Sequence, residues 1–159
     1  MTLRQSLRGR VGNGGWTLVE LLMVLAIVGI LSSLTMLKMQ DMIERARVAK
    51  AIGDIEAIQL ELAGFEAGDD SLPSSLAGIG RAAYLDPWGR PYVYVKFDLS
   101  KGIAGQARKD RFLVPLNSTY DLYSMGKDGQ SQSPLTAKAS LDDVIRANDG
   151  GFIGLAAHY

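Results

Sequence analysis

One uninterrupted apolar run near the amino terminus constrains this chain more than any other feature. Residues 21–37 read LLMVLAIVGILSSLTML and carry no charge. As a helix the run would be roughly 26 Å long, close to the roughly 30 Å hydrocarbon core of a bilayer. Residues 16–20 make the run long enough to span, but they bring Glu20 into the apolar segment. A lone carboxylate at that depth is costly and usually has a partner, so Glu20 is a candidate functional residue.

The charges before this run predict its orientation. The leader, residues 1–15, carries Arg4, Arg8 and Arg10 and no acidic residue, and without it 14 basic and 17 acidic side chains remain. Because positive residues stay on the cytoplasmic side, we expect a single-pass membrane protein. Its amino terminus would be cytoplasmic and its remainder would lie outside. A cleavable secretory peptide is the competing interpretation, but the run is long and no clear small-x-small cleavage site follows it.

Length and composition exclude several classes of function. The 159 residues allow one modest domain beside the membrane segment, and the domain has no cysteine to form a disulfide bond. A metal ion, assembly into a polymer or a well-packed core must therefore stabilise the domain. No basic patch suggests nucleic-acid binding. The single histidine, His158, lies at the carboxyl terminus, and no catalytic or phosphate-binding constellation can be built, so the sequence predicts no enzyme.

A second helical pattern follows the apolar run without any proline between them. Apolar residues recur at helical spacing and form one stripe, comprising Val48, Ile52, Ile55, Ile58, Leu62 and Phe65. The pattern predicts one helix with a membrane half at 16–37 and an amphipathic half at 38–67. The stripe would pack on the chain's own domain, a coiled-coil partner being the alternative. Gly68 and Pro73 would end the helix.

The remaining residues, 68–159, predict a small β-domain. Residues 92–97 are rich in aromatic and β-branched side chains and predict a strand, and 112–116 and 120–123 predict two more. The turn before the first strand contains Trp88, which we interpret as a core side chain that fixes the turn. From Gly126 onward we expect a mostly irregular tail with a helical turn or two at 141–147. The fold class is therefore α+β, with the helix packed on a small antiparallel sheet.

The amino-terminal segment resembles the class III signal of type IV pilins and pseudopilins. In both, a short basic leader ends in glycine, and an apolar residue, Thr-Leu-x-Glu and a long apolar helix follow. The resemblance implies that a prepilin peptidase cleaves between Gly15 and Trp16 and methylates the new amino terminus. Glu20 would then be the fifth residue of the mature chain and would act in assembly. Trp16 stands where phenylalanine or methionine is usual.

Two later motifs narrow the resemblance. DPWGRPY at 86–92 and YDLYSMGKDG at 120–129 are similar to the major pseudopilin of type II secretion systems. The departures are an insertion around 101–117 and a longer tail after Gln130. The resemblance implies a pilin-like fold and a structural subunit of the periplasmic pseudopilus that drives protein export. It also implies an anchor in the bacterial inner membrane, with the domain in the periplasm. Its partners would be copies of itself, the minor pseudopilins, the inner-membrane assembly platform and the prepilin peptidase.

The tail is a candidate calcium site. Its aspartates lie among glycine and asparagine, and such oxygen ligands on an irregular loop suit Ca²⁺, although the spacing matches no EF-hand. The major pseudopilins bind calcium in this loop, and the resemblance implies the same here. Asp128 matches the family position best, and Asp142 or Asp143 would supply a second carboxylate. Ser124 and Met125 could contribute further oxygen atoms.

Three other functions remain open at this stage. A type IV pilus subunit is disfavoured by the missing cysteine pair and by the DPWGxPY motif. The chain could instead be a membrane-anchored calcium-binding module that never polymerises. A membrane-tethered hydrolase lacks the residues that catalysis would need.

The signal predicts a specific processing event. A bulky replacement, Gly15→Leu, should leave an uncut precursor in the membrane, because the peptidase must accept the residue before the scissile bond. Intact-mass measurement of the purified protein reads this directly. A wild-type mature form that still carries residues 1–15 would contradict the prediction.

Overall fold

The computed structural model describes residues 15–103 and 105–159, without the side chains of residues 34–37 and 99. The predicted leader lies outside the described residues except for Gly15. The chain divides into two compact units, the first ending at Asp41 and the second comprising Met42–Tyr159. Each unit is described by itself below.

A single helix, α1, spans Leu18–Asp69 and confirms the long helix that the sequence predicts. No proline interrupts its 52 residues. Asp70, directly after the helix, has a left-handed backbone with φ 54°. The helix therefore ends two residues later than predicted, at the aspartate pair rather than at Gly68.

The apolar stripe in the second half of α1 forms the centre of the main core. Ala51, Ile55, Ile58 and Leu62 are fully buried. They form one cluster with residues of the later chain, namely Leu72, Leu76, Tyr92, Tyr120, Leu122 and Val144. Each large side chain buried in this way contributes about 1.5–3 kcal/mol. The stripe thus packs on the chain's own domain and not on a coiled-coil partner.

Four short strands form one antiparallel sheet. They are β1 at Val93–Lys96, β2 at Tyr120–Ser124, β3 at Val144–Ala147 and β4 at Phe152–Leu155. Their spatial order follows the chain, β1-β2-β3-β4. Val93 pairs with Tyr123, and Ile145 pairs with both Tyr123 and Gly154. The α+β fold with a helix against a small antiparallel sheet is confirmed.

The prediction of an irregular tail is wrong in detail, because β3 and β4 occupy the segment that we expected to be irregular or helical. All four residues of β3 are buried. Val144 joins the main core, whereas Ile145 joins a second core on the opposite face of the sheet. A strand covered on both faces shows no alternation of apolar and polar residues, so its sequence lacks the period-two signal.

The second core shows where the long tail packs on the sheet. Leu135, Ala147 and Ala156 pack there with Leu116 and Ile145. The tail therefore covers the face of the sheet that α1 leaves free, and apolar burial contributes to its stability.

The strand predicted at 112–116 is not formed. Phe112 is fully exposed, and the segment contains only one isolated bridge, between Asp110 and Leu113. The Val114–Pro115 peptide bond is cis. β-Branched and aromatic residues predicted a strand, but no neighbouring strand pairs with this segment, and strand propensity alone does not form a sheet.

The turn after β2 requires a glycine. Gly126 has φ 59°, and a Cβ atom there would lie 2.1 Å from the backbone oxygen of Asp142. The backbone of the turn thus lies directly against the segment that leads into β3. Gly80 has a similar φ of 73°, but a Cβ atom there would meet nothing within 4 Å.

These two glycines allow a matched test of the turn. Gly80→Ala should lower the free energy of unfolding by about 1–2 kcal/mol, because only the left-handed backbone is penalised. Gly126→Ala should cost about 3 kcal/mol or more, since overpacking against Asp142 adds to the same penalty. Denaturant unfolding of the detergent-solubilised protein measures both values. Equal losses from the two variants would refute the close contact at Gly126.

Candidate functional site

The first half of α1 presents a continuous apolar surface. Its large apolar side chains, which are exposed in this structure, include Leu18, Val19, Leu21, Leu22, Met23, Leu25, Ile27, Val28 and Ile30. Trp16, just before the helix, is exposed as well. An 18-residue window of the helix has a mean hydropathy of 2.3, so by length and composition the segment can cross a membrane. Exposure of this much apolar surface to water is unfavourable, so lipid or other helices are expected to cover it.

Glu20 already has partners at the start of α1. Its Oε2 accepts hydrogen bonds from the backbone N–H and the hydroxyl of Thr17, each at 3.0 Å. In return, the Glu20 backbone N–H donates to Thr17 Oγ1 at 3.2 Å. This reciprocal arrangement is a capping box, which satisfies backbone donors at a helix start. The Thr-x-x-Glu spacing is visible in the sequence, where it predicts processing and assembly but is also the spacing of a capping box.

The DPWGRPY motif is organised by the buried carboxylate of Asp86. Its Oδ1 accepts hydrogen bonds from the backbone N–H groups of Trp88, at 3.0 Å, and Arg90, at 2.8 Å. Its Oδ2 accepts the hydroxyl of Ser124 at 2.5 Å. The turn is therefore bonded directly to the end of β2, where the second motif lies.

Arg90 joins the same two motifs from the other side. Its guanidinium donates to the carbonyls of Gly126, at 2.6 Å, and Lys127, at 3.2 Å. A Cβ atom on Gly129 would lie 2.4 Å from the Arg90 guanidinium carbon. The two sequence motifs thus form one structural unit, in which the glycines make room for the arginine.

Trp88 is half-buried at the edge of the main core, as the core interpretation predicts. Its indole N–H donates to Glu44 Oε1 on α1 at 2.9 Å. Trp88 therefore anchors the motif to the helix through both packing and a hydrogen bond.

Hydrogen bonds hold the residues predicted to bind calcium, and one of these bonds joins Asp128 to Asp142. Asp128 Oδ1 accepts the backbone N–H of Gln130 at 2.7 Å, and Asp142 Oδ2 accepts the backbone N–H of Asp128 at 2.9 Å. Ser124 is committed to Asp86, as described above. The carbonyl of Met125 accepts the backbone N–H of Gly129 at 3.2 Å.

Asp143, the fifth predicted ligand, is fully buried and paired with Arg108. The Arg108 Nη2–Asp143 Oδ2 distance is 2.6 Å, and the Ser131 hydroxyl donates to the same oxygen at 2.6 Å. Burial raises the pKa of the Asp143 carboxyl, while the hydrogen bond from Ser131 and the charge of Arg108 oppose this shift.

Calcium needs more oxygen donors than the predicted carboxylates alone supply. Ca²⁺ takes six to eight oxygen ligands at about 2.3–2.6 Å. Within residues 15–103 and 105–159, no group of three or more His, Cys, Asp or Glu side chains could hold a metal ion. The predicted site has two carboxylates completed by hydroxyl and carbonyl oxygens, so calcium binding by this chain stays a prediction.

Sequence reasoning missed the residues that anchor the inserted segment. The carboxylate of Asp121 on β2 is buried and accepts the backbone N–H of Arg108 at 2.6 Å and the side-chain amide of Asn117 at 2.8 Å. Arg146 on β3 donates to Asn117 Oδ1 at 3.1 Å and to Gln59 on α1 at 2.7 Å. Apart from Asn117 and Asp121, these pairs join residues far apart in the chain, and no local spacing indicates them. His158 is exposed, as expected.

Comparison with known proteins shows relatives along most of the chain. The type II secretion system core protein G of Pseudomonas aeruginosa is 30% identical over 139 residues, which cover 74% of this chain and 86% of the relative. The proteins of the same name from Aeromonas hydrophila and Escherichia coli are 28% and 26% identical, over 75% and 73% of this chain and 86% and 83% of their own lengths. No protein-family model matches the sequence. No solved structure matches it either.

The relatives match most of this chain. In it, the DPWGRPY turn is bonded both to the helix and to the small sheet. A relative at 30% identity that is covered over 86% of its length establishes common ancestry. The chain belongs to the family of the type II secretion system core protein G, the major pseudopilins.

Proposed function

We propose that this chain is a structural subunit of the periplasmic pseudopilus that drives protein export through a type II secretion system. The observation that carries the proposal is the exposed apolar first half of α1 in a relative of core protein G. A surface of this kind needs a cover, and the corresponding surface of another copy provides one as the subunits assemble. The role is structural and not catalytic.

The anchor and its topology form the second part of the proposal. The apolar half of α1 holds the subunit in the bacterial inner membrane before assembly, since its mean hydropathy is 2.3. The arginines of the leader keep the amino terminus in the cytoplasm. The unit Met42–Tyr159 then lies in the periplasm, where it folds without disulfide bonds.

The partners follow from processing and assembly. A prepilin peptidase releases residues 1–15 and methylates Trp16. The mature subunit then polymerises with itself, together with minor pseudopilins and the inner-membrane assembly platform. The name shared by the relatives, a core protein of the secretion system, supports assembly within that system.

Glu20 has two separable roles within this proposal. It caps α1 inside its own subunit through Thr17. A carboxylate has about four acceptor sites, so Glu20 retains capacity for a second partner. We propose that this partner is the positively charged amino group of Trp16 on a neighbouring subunit. Such a pair would offset the cost of a carboxylate among apolar helices.

The two roles can be separated by substitution. Thr17→Ala removes the side chain that bonds to Glu20 but keeps the carboxylate, whereas Glu20→Ala removes the carboxylate and the cap together. Glu20→Ala should insert in the membrane at least as well as wild type yet form few filaments. Thr17→Ala should form filaments near the wild-type yield, because capping contributes only about 1 kcal/mol.

Electron microscopy of sheared or detergent-extracted material, from cells that also make the peptidase, measures filament yield. Intact-mass measurement of each variant confirms that cleavage is unaffected. A normal yield from Glu20→Ala, or equal losses from both variants, would contradict the pairing. Absence of filaments from the wild type under these conditions would favour a module that does not polymerise.

A further inference from the structure

Phe112 is the most exposed large apolar side chain in the described part of the unit Met42–Tyr159. It is fully exposed, and its neighbours Leu113 and Val114 are 50% and 36% exposed. We name residues 110–114 the tip of the inserted segment. An aromatic side chain buries about 150–250 Å² when another molecule covers it. Three consecutive apolar side chains at one place on the surface therefore indicate a contact with another molecule.

The tip is a braced turn. The backbone N–H of Asp110 donates to the carbonyl of Leu113 at 3.1 Å, and the N–H of Leu113 donates back to the carbonyl of Asp110 at 2.6 Å. Between them Arg111 has a left-handed backbone with φ 47°, which a non-glycine residue rarely adopts. The base of the turn is bonded to the tail, because the N–H of Lys109 donates to the carbonyl of Ser133 at 3.1 Å. The turn therefore holds its aromatic side chain in a defined position.

An apolar groove lies between α1 and β4. Its volume is about 720 Å³, and its walls include Val48, Ala49 and Ile52 on the helix and Ile153 and Leu155 on the strand. Because β4 is an edge strand, no further strand in residues 15–103 and 105–159 covers the groove. A volume in the range of roughly 300–1,000 Å³ accommodates a whole small-molecule ligand. The groove therefore has room for a phenylalanine side chain and the apolar residues beside it.

The groove and the segment that carries the tip belong to opposite faces of the sheet. Val48 and Ile52 of the groove pack against the main core, on the side of α1. Leu116, which follows the tip, belongs to the second core. Arg108, which precedes the tip, has its guanidinium carbon 4.2 Å from the ring centroid of Tyr123, and Tyr123 packs against that same second core. The groove of one copy is therefore free for the tip of another copy.

Charged residues border both surfaces. Asp110 and Arg111 are adjacent in the tip, and Glu44 and Arg45 are adjacent in the lining of the groove. None of the described residues forms an ion pair with Arg45, Asp110 or Arg111. Glu44 accepts the indole N–H of Trp88, and its carboxylate has acceptor sites left. One docking orientation brings Asp110 to Arg45 and Arg111 to Glu44, and such complementary charges fix the register of a contact.

We propose that the tip of one copy inserts Phe112 into the groove between α1 and β4 of a neighbouring copy. The contact joins two different surfaces, so each copy keeps a free groove or a free tip for the next one. A heterologous contact of this kind builds an open filament when the rotation between copies does not close a ring. The inference rests on the proposed function, since the open filament is the pseudopilus. The insertion around 101–117, a departure from the major pseudopilin pattern, supplies the tip.

The first test removes the aromatic side chain. Phe112→Gln should lower the filament yield about fivefold or more, because a central aromatic side chain contributes most of the binding energy of such a contact. The variant should melt within about 2 °C of wild type, since the side chain is fully exposed in the single copy. Leu60→Gln is the matched control, because Leu60 is 75% exposed and lies outside both the tip and the groove. A wild-type yield from Phe112→Gln, or equal losses from both variants, would overturn the proposal.

Cross-linking locates the contact directly, because the chain has no cysteine of its own. Leu113→Cys places a thiol in the tip, and Ala49→Cys places one in the groove wall. Membranes and sheared filaments from cells that make the full-length variants and the peptidase are treated with a short bis-maleimide. The double variant should give a ladder of dimers, trimers and larger products. Each single variant alone should give none, and the two single variants made together should give dimers only.

The cross-linking outcomes separate the contact from the polymer. A double variant that gives no ladder in either fraction would refute the contact, and wild-type filaments in the same experiment would leave the pseudopilus role intact. A ladder in membranes without wild-type filaments would support the contact and contradict the proposed function. Dimers from Leu113→Cys alone would show that tip pairs with tip, which is also incompatible with the proposal.

Discussion

Burial of one stripe of α1 is the interaction on which the rest of the structure depends. Ile55, Ile58 and Leu62 lose all solvent contact, and side chains from all four strands of the sheet pack around them. A four-stranded sheet of such short strands has little stability alone and needs a helix or a second layer. The amphipathic half of α1 provides that layer, while the large apolar side chains of the other half stay exposed.

Polar contacts then hold the loops to this core. Asp86 and Arg90 bond the DPWGRPY turn to the segment after β2, and Arg108 bonds the insertion to the tail. Each of these charges is at least partly buried, so each requires a partner to be tolerated. A domain without disulfides thus uses ion pairs and hydrogen bonds to hold its loops to the core. The second core, around Ile145, adds apolar burial to the same tail.

The parts of the fold that were predicted correctly carry local signals. The 3.6-residue period and the absence of proline identify α1, and aromatic and β-branched residues identify the strands that became β1 and β2. The parts that were missed depend on contacts between distant residues. β3 is covered on both faces, so it shows no alternation, and Phe112 lies in a strand-like sequence that has no partner strand. Of the candidate site residues, Glu20 has local partners that a capping-box spacing could have indicated.

The class of protein could be inferred from the amino-acid sequence, through a basic leader, an apolar helix with Glu20, and motifs that resemble those of a major pseudopilin. Each of these features is a local stretch of the chain, so it can be found without a structure. How the tail is held is visible only in the folded domain. Arg108 and Asp143 are 35 positions apart, and either one alone is an ordinary charged residue. Folding buries both and thereby makes their pairing necessary, because a charge removed from water must be compensated where it lies.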